Sequence, residues 1–225
     1  MCGVLGITIR DFKEKDHDLV RDLFIQSMIR GKHATGVSYV KNNKVITIKE
    51  PISAVDFIKK QNLMEWTNED GNLYCIGHVR YSTSDLRFNQ PIATDSLSIV
   101  HNGVISQESP DTWFDTFNLK TETANDSELI LRALEKNESP LKKFHRSSMA
   151  VCVIDSNKKI TAFRNEERPL YCSFNKNMFL FASTGNIFSR ANVLWYKKMP
   201  MYNIIEVDSF KFKEYVIDIN VEDLQ

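Results

Sequence analysis

The sequence predicts an α+β fold, built as one domain with two packed sheets. Three observations lead there. Strand-like runs occur in groups with helical stretches collected between them, rather than in strict β-α alternation. The 225 residues are 42% hydrophobic, enough to bury a large shared core. Glycine (8) and proline (6) are too sparse for long unstructured linkers between separate units.

The elements follow in order. Residues 2–9 are apolar and β-branched and read as a first strand, which would hold Cys2 at an edge or end of a sheet. Over residues 17–29, Leu19, Leu23, Phe24 and Met28 recur at helical spacing, an amphipathic helix whose stripe is core and which Arg30-Gly31 ends. Residues 36–48 read as two strands about a Lys41-Asn42-Asn43-Lys44 turn, and residues 53–62 suit a short helix. Asn68 to Gly71 is a turn before an apolar strand over 73–79, and a further strand, 96–100, runs into His101-Asn102-Gly103. Asn125 or Asp126 is placed to cap a helix over 127–136, which carries Leu129, Ile130, Leu131 and Leu134. In the last third, residues 149–154, 160–164, 170–174, 178–182, 202–207 and 210–217 are short strands, with a short helix near 186–192.

Composition narrows the function classes. Charge is balanced, 29 basic against 29 acidic residues, which argues against a nucleic-acid-binding surface spread over the protein. No stretch reaches the roughly 18 apolar residues of a membrane span, and no basic region followed by an apolar run opens the chain, so neither a membrane nor a secretion signal is expected. Cys2, Cys75, Cys152 and Cys172 form no CxxC pair. The last three sit among apolar neighbours and read as small buried hydrophobes, which fits a reducing, cytoplasmic setting. His33, His78 and His101 with Asp126 lack the spacing of a zinc site, so no metal is expected. His78 and His101 read instead as packed or hydrogen-bonded strand-end residues. Without a glycine-rich phosphate loop, no nucleotide site or other cofactor is inferred.

Cys2 has unusual chemistry available to it. A small side chain at position two permits removal of Met1, leaving a thiol and a free α-amine on one residue. With an amine pKa of roughly 7.7–8.0 and a thiol pKa of about 8.5, the amine can take the thiol's proton near neutral pH. Four polar clusters lie at strand ends: Arg30 to Gly36, Gly77 to Ser84, His101-Asn102-Gly103 and Asn125-Asp126-Ser127. Each has an ordinary reading as a turn, a cap or an outward strand residue. Were Cys2 to attack a carboxamide, the Asn102 side chain and the Gly103 N–H would supply two donors to the tetrahedral oxygen. An amino-acid substrate would need a planar fork for its carboxylate, which Arg80 offers, and a carboxylate for its ammonium, for which Asp126 is a candidate.

Met1-Cys-Gly-Val-Leu-Gly6, Arg30-Gly-Lys-His-Ala-Thr-Gly36, Gly77-His-Val-Arg-Tyr-Ser-Thr83, Asn89-Gln-Pro91, His101-Asn-Gly-Val-Ile105 and Asp126-Ser-Glu128 occur in one order. Together, and with Arg168-Pro-Leu170, they resemble the class II glutamine amidotransferase domain, an N-terminal-nucleophile hydrolase, and most of all the glutaminase half of amidophosphoribosyltransferase. The resemblance implies a four-layer αββα sandwich and a single glutaminase-type domain over residues 2–225 with Met1 removed. It implies Cys2 as nucleophile, Asn102 and Gly103 as oxyanion hole, Arg80 and Thr83 on the glutamine carboxylate, and Asp126 on the ammonium. Tyr81 would lie in the loop closing over glutamine, and Arg30 and Gly31 would border the nucleophile. The sequence departs from the family's usual pattern at His33-Ala-Thr-Gly36, Asn165-Glu-Glu-Arg168 and Ala182-Ser-Thr-Gly185.

The implied reaction makes glutamate and ammonia through a γ-glutamyl thioester. The chain stops at Gln225, without room for a synthase domain, so an acceptor enzyme on a separate chain is expected as partner beside L-glutamine, and homo-oligomerisation stays open. Two other readings are a γ-glutamyl amide or peptide hydrolase of the same fold and a non-catalytic binding subunit. The intact set of Cys2, Arg80, Asn102 and Asp126 argues against the last.

Overall fold

The computed structural model describes residues 2–81 and 89–218. Among them the chain runs β1 (Gly3–Ile9), α1 (His17–Gln26), β2 (Ala34–Lys41), β3 (Lys44–Glu50), α2 (Ala54–Lys59), β4 (Leu73–Arg80), β5 (Ile92–Ala93), β6 (Leu97–Val104), α3 (Trp113–Phe117), α4 (Glu128–Glu135), α5 (Pro140–Lys143), β7 (Ser148–Asp155), β8 (Ile160–Arg164), β9 (Tyr171–Asn175), β10 (Met178–Ala182), α6 (Gly185–Arg190), β11 (Lys197–Lys198), β12 (Asn203–Asp208) and β13 (Lys211–Val216). The first sheet has the order β11-β9-β10-β1-β4-β2-β3 and the second β13-β12-β8-β7-β6-β5.

Strand alternation explains the layering. Successive side chains of a strand point to opposite faces. In β1, Leu5, Ile7 and Ile9 pack with Leu23 and Phe24 of α1, Phe57 of α2 and Phe188 of α6. Val4, of opposite parity, packs with Val100 of β6 and with Ala150 and Cys152 of β7. In β7 the other parity, Met149, Val151 and Val153, meets Trp113 of α3, Leu129 and Ile130 of α4 and Leu141 of α5. Helices therefore cover the outer face of each sheet, and the sheets cover each other. Strands buried on both faces read as continuous apolar runs, as β1 and β7 do. Gly77 serves this packing: a Cβ there would lie 2.6 Å from the Phe24 ring, so its absence lets α1 sit close on β4.

The structure differs from the sequence-based expectation in detail. The strand expected over 96–100 continues through Val104, because β7 pairs with it from Leu97 opposite Asp155 to Val104 opposite Ser148. His101-Asn102-Gly103 is thus strand, not a turn at its end. The helix expected over 17–29 ends at Gln26 and tightens to a 3₁₀ turn over Ser27–Ile29, where the Ser27 hydroxyl donates back to the Leu23 carbonyl. Asp126 does not cap α4. Its carboxylate accepts the Ile105 and Ser106 N–H groups, while Asn125 Oδ1 accepts the Ser127 N–H in the turn before the helix. α3, α5, β5 and β11 are too short to register as periodicity. Cys75, Cys152 and Cys172 are buried free thiols, as expected. Burial pushes the first two well up, and Cys172 up to about 11. Among the described residues no helix is long and apolar enough to cross a membrane.

Candidate active site

The layer between the sheets is apolar along most of its length and turns polar at one end. Tyr74 and Ile76 of β4 face it, and the same parity continues to His78 and Arg80. Val4 of β1 faces it, and Cys2 lies two residues before. Val100 of β6 faces it, and Asn102 lies two residues after. Antiparallel pairing of β4 with β1 sets Val4 beside His78 and Gly3 beside Val79, so the start of β1 and the end of β4 coincide. A cleft of about 400 Å³ opens there, lined among others by Cys2, Arg80, Tyr81, Gly103 and Asp126.

Asn102 joins the two sheets at this point. Its Oδ1 accepts from the Cys2 nitrogen at 3.1 Å. That nitrogen is a peptide N–H while Met1 is attached and an α-amine once Met1 is gone. The bond uses the acceptor end of the Asn102 amide and turns the donor end away, and its buried Nδ2 has no partner among the described residues. Gly103 follows. A Cβ there would sit 1.9 Å from the Ser148 carbonyl oxygen, so only glycine lets β6 lie this close to β7. Arg30 Nε donates to the Cys2 carbonyl at 3.4 Å, holding the backbone of Cys2. Burial lowers the Arg30 pKa; Cys2 opposes that shift and Arg168 adds to it. Gly31 allows another close approach, since a Cβ would be 2.2 Å from the Tyr81 nitrogen.

Arg80 reaches the cleft half-buried, with Nη1 donating to Asn89 Oδ1 at 3.2 Å. Tyr81 is 54% exposed at its mouth, its ring 5.1 Å from that of His33. Asp126 Oδ2 accepts the Ile105 N–H at 2.6 Å and the Ser106 N–H at 3.3 Å, which ties it to the segment just after β6. Thr83 lies outside the described residues. Of the residues expected in the site, Cys2, Arg30, Gly31, Arg80, Tyr81, Asn102, Gly103 and Asp126 therefore meet around one cleft end.

Three more residues belong here whose part the sequence did not disclose: His78, Gln90 and Ser127. His78 and His101 are buried. Burial, reinforced by Arg80 and His101, holds the His78 imidazole down to about 3, so it is neutral. Burial also lowers His101, against the opposing pull of Asp126 and the Ser148 carbonyl. The Ser148 oxygen can only accept, so His101 Nε2, 3.2 Å away, carries the proton, and Nδ1 accepts from the Ser127 hydroxyl at 2.8 Å. Gln90 sat within the Asn89-Gln-Pro91 motif, but nothing in that tripeptide gives the side chain a partner.

Solved structures share this architecture. Glutamine phosphoribosylpyrophosphate amidotransferase from B. subtilis, complexed with ADP and GMP, matches with a TM-score of 0.74 at 15% identity, over 97% of this chain and 50% of its own. The allosteric regulatory enzyme of purine biosynthesis matches with a TM-score of 0.75 at 15% identity, over 98% and 50%. A glutamine aminotransferase class-II domain protein from Silicibacter pomeroyi matches with a TM-score of 0.59 at 11% identity, over 96% and 99%. The chain spans about half the length of the first two. No curated protein matches its sequence. The fold is thus that of these amidotransferase structures, with the αββα layers expected. A family model described as the glutamine amidotransferase domain matches residues 78–190, half of the chain and the half that carries Arg80, Asn102, Gly103 and Asp126. The chain belongs to the glutamine amidotransferase domain family.

Proposed function

We propose that the chain hydrolyses L-glutamine to glutamate and ammonia through a γ-glutamyl thioester on Cys2, and that an acceptor enzyme on a separate chain uses the ammonia. The observation that carries this reading is the contact of Asn102 Oδ1 with the Cys2 nitrogen, which leaves the Asn102 Nδ2 donor without a partner among the described residues. Cys2 and Asn102 meet in space although 100 residues separate them.

The steps follow from the groups present. With Met1 removed, the Cys2 α-amine takes the thiol proton, and Sγ attacks the carboxamide carbon. The oxyanion receives hydrogen bonds from Asn102 Nδ2 and the Gly103 N–H. The tetrahedral species collapses, the C–N bond breaks, and the α-ammonium returns its proton to the leaving nitrogen, giving ammonia. Water, deprotonated by the same amine, then attacks the thioester carbon, and glutamate leaves as the thiol is restored. Arg80 holds the substrate carboxylate and Asp126 its ammonium, with Tyr81 at the mouth and Thr83 assisting at the carboxylate. Residues 2–225 act as one domain, and the buried free thiols suit a reducing compartment such as the cytoplasm.

The test is the mass of untagged protein before and after treatment with a diazoketone analogue of glutamine. The expected result is loss of Met1 and one adduct on Cys2 that excess glutamine blocks, with Cys2→Ala folded, unlabelled and inactive. Retained Met1, or a folded mature protein that takes no adduct, overturns the reading. Cleavage of γ-glutamyl anilides without glutamine turnover would transfer it to the γ-glutamyl hydrolase alternative.

A further inference from the structure

β5 is two residues long, with Ile92 opposite Ile99 and Ala93 opposite Ser98 of β6. Continuing that register by two residues sets Gln90 opposite His101. There the side chain takes over from the backbone. Gln90 Oε1 accepts the His101 N–H at 2.6 Å, and Gln90 Nε2 donates to the His101 carbonyl at 3.1 Å. One carboxamide thus makes the two bonds that a strand partner's peptide groups would make. The same Nε2 is 3.1 Å from Ser127 Oγ, whose hydroxyl donates a hydrogen bond to His101 Nδ1. The segment carrying Gln90 is itself fixed: Lys49 Nζ donates to the Asn89 and Pro91 carbonyls at 3.0 and 3.2 Å. Gly36 has no Cβ, which would stand 2.3 Å from the Gln90 carbonyl oxygen.

We propose that Gln90 is a positioning residue for the glutaminase reaction: its carboxamide clamps β6 at His101, directly before Asn102, to Ser127, directly after Asp126, so that the oxyanion donors and the ammonium carboxylate form one rigid unit. The inference rests on the reading of the site given above. It follows from adjacency. His101 shares a peptide bond with Asn102, and Ser127 shares one with Asp126. The chain path between these pairs runs through the end of β6, α3 and more than 20 residues in all. Asp126 is already tied to the Ile105 and Ser106 N–H groups, and Gln90 adds a second tie at His101 and Ser127. Every donor and acceptor in the cluster is used once the Nε2 hydrogens go to the His101 carbonyl and Ser127, and a fully satisfied buried network is stiff.

Gln90→Glu is the informative variant, because it keeps the acceptor for the His101 N–H and loses the Nε2 donor. Turnover is expected to fall roughly 10- to 100-fold, as for a misplacement of reacting groups by an ångström or less. In an Asn102→Ala background the same change should cost less turnover than in wild type, since part of its effect runs through Asn102 and only the part through Asp126 is left, and hydrogen exchange should quicken together in the segments 101–106 and 126–128. Full turnover in Gln90→Glu, losses that multiply independently with those of Asn102→Ala, or unaltered exchange in either segment would each overturn the clamp. Gln90→Met, which keeps the length without charge, should reproduce the exchange change. If wild-type protein takes no diazoketone label and hydrolyses no glutamine, the proposed reaction fails, and the exchange of the two segments still decides whether Gln90 couples them.

Discussion

The amide of Asn102 points one way because of what each end can do. Its oxygen accepts from the Cys2 nitrogen, so its NH₂ is the end left over, buried and without a partner among the described residues, and the orientation is set before substrate arrives. A donor already aimed at developing charge needs no reorganisation during reaction, and removing one such donor lowers turnover by about 10²–10³-fold. Asn102→Ala should show that loss in kcat with a smaller change in KM, measured by glutamate release; an equal loss in binding would assign Asn102 to structure. The role proposed for Arg80 is of the opposite kind. Its planar fork suits a carboxylate in both ground and transition states, so Arg80→Lys should raise the glutamine KM and leave kcat near wild type. An unchanged KM would remove Arg80 from the carboxylate. The types Cys, Asn, Gly, Arg and Asp were legible in the sequence because each belonged to a motif with a chemical use. Gln90 and His78 were not, because their value lies in which buried groups they meet.

Strands decide how these residues converge. β1, β4 and β6 each run apolar along the inter-sheet face and reach a polar residue of the same parity at one end of the layer: Cys2 just before β1, Arg80 at the end of β4 and Asn102 near the end of β6. Such continuation places the site at the end of the layer between the sheets and carries His78 into burial with it, while His101, of opposite parity in β6, is buried against Ser127. The unfolded chain binds a proton at His78 near the usual 6.5, whereas the folded chain does so only near 3. Between those values the unfolded state holds more protons, so stability falls as pH drops from 6.5 towards 3. His101 shifts in the same direction. The urea midpoint of wild type should therefore decline over that window, and His78→Gln should decline less steeply; parallel curves would show that His78 is not held neutral. The strand existence was readable from apolar runs, but the length of β6 was not. His101-Asn102-Gly103 resembles a turn in isolation, and only pairing with β7 extends the strand through it.

At the scale of the whole molecule, β1, β4 and β7 each contribute one face to an outer core and the other to the core between the sheets. Neither sheet keeps its interior without the other, so thermal or urea unfolding should be a single transition, coincident by tryptophan fluorescence and far-UV circular dichroism. Trp66 lies in the core under the first sheet and Trp113 in the core under the second, so fluorescence samples both ends. Separate transitions would divide the chain into two units. Two packed sheets with helices grouped between strand runs, the helix stripe of Leu23 and Phe24, the buried thiols and the thiol-amine chemistry of Cys2 all follow from local order, because apolar periodicity and residue chemistry are local properties. The meeting of Cys2 with Asn102, the diversion of Asp126 from a helix cap to the backbone after β6, and the side-chain rung that Gln90 adds to β6 are non-local. Each depends on strand register between segments far apart in the chain, and register exists only once the two sheets have packed face to face.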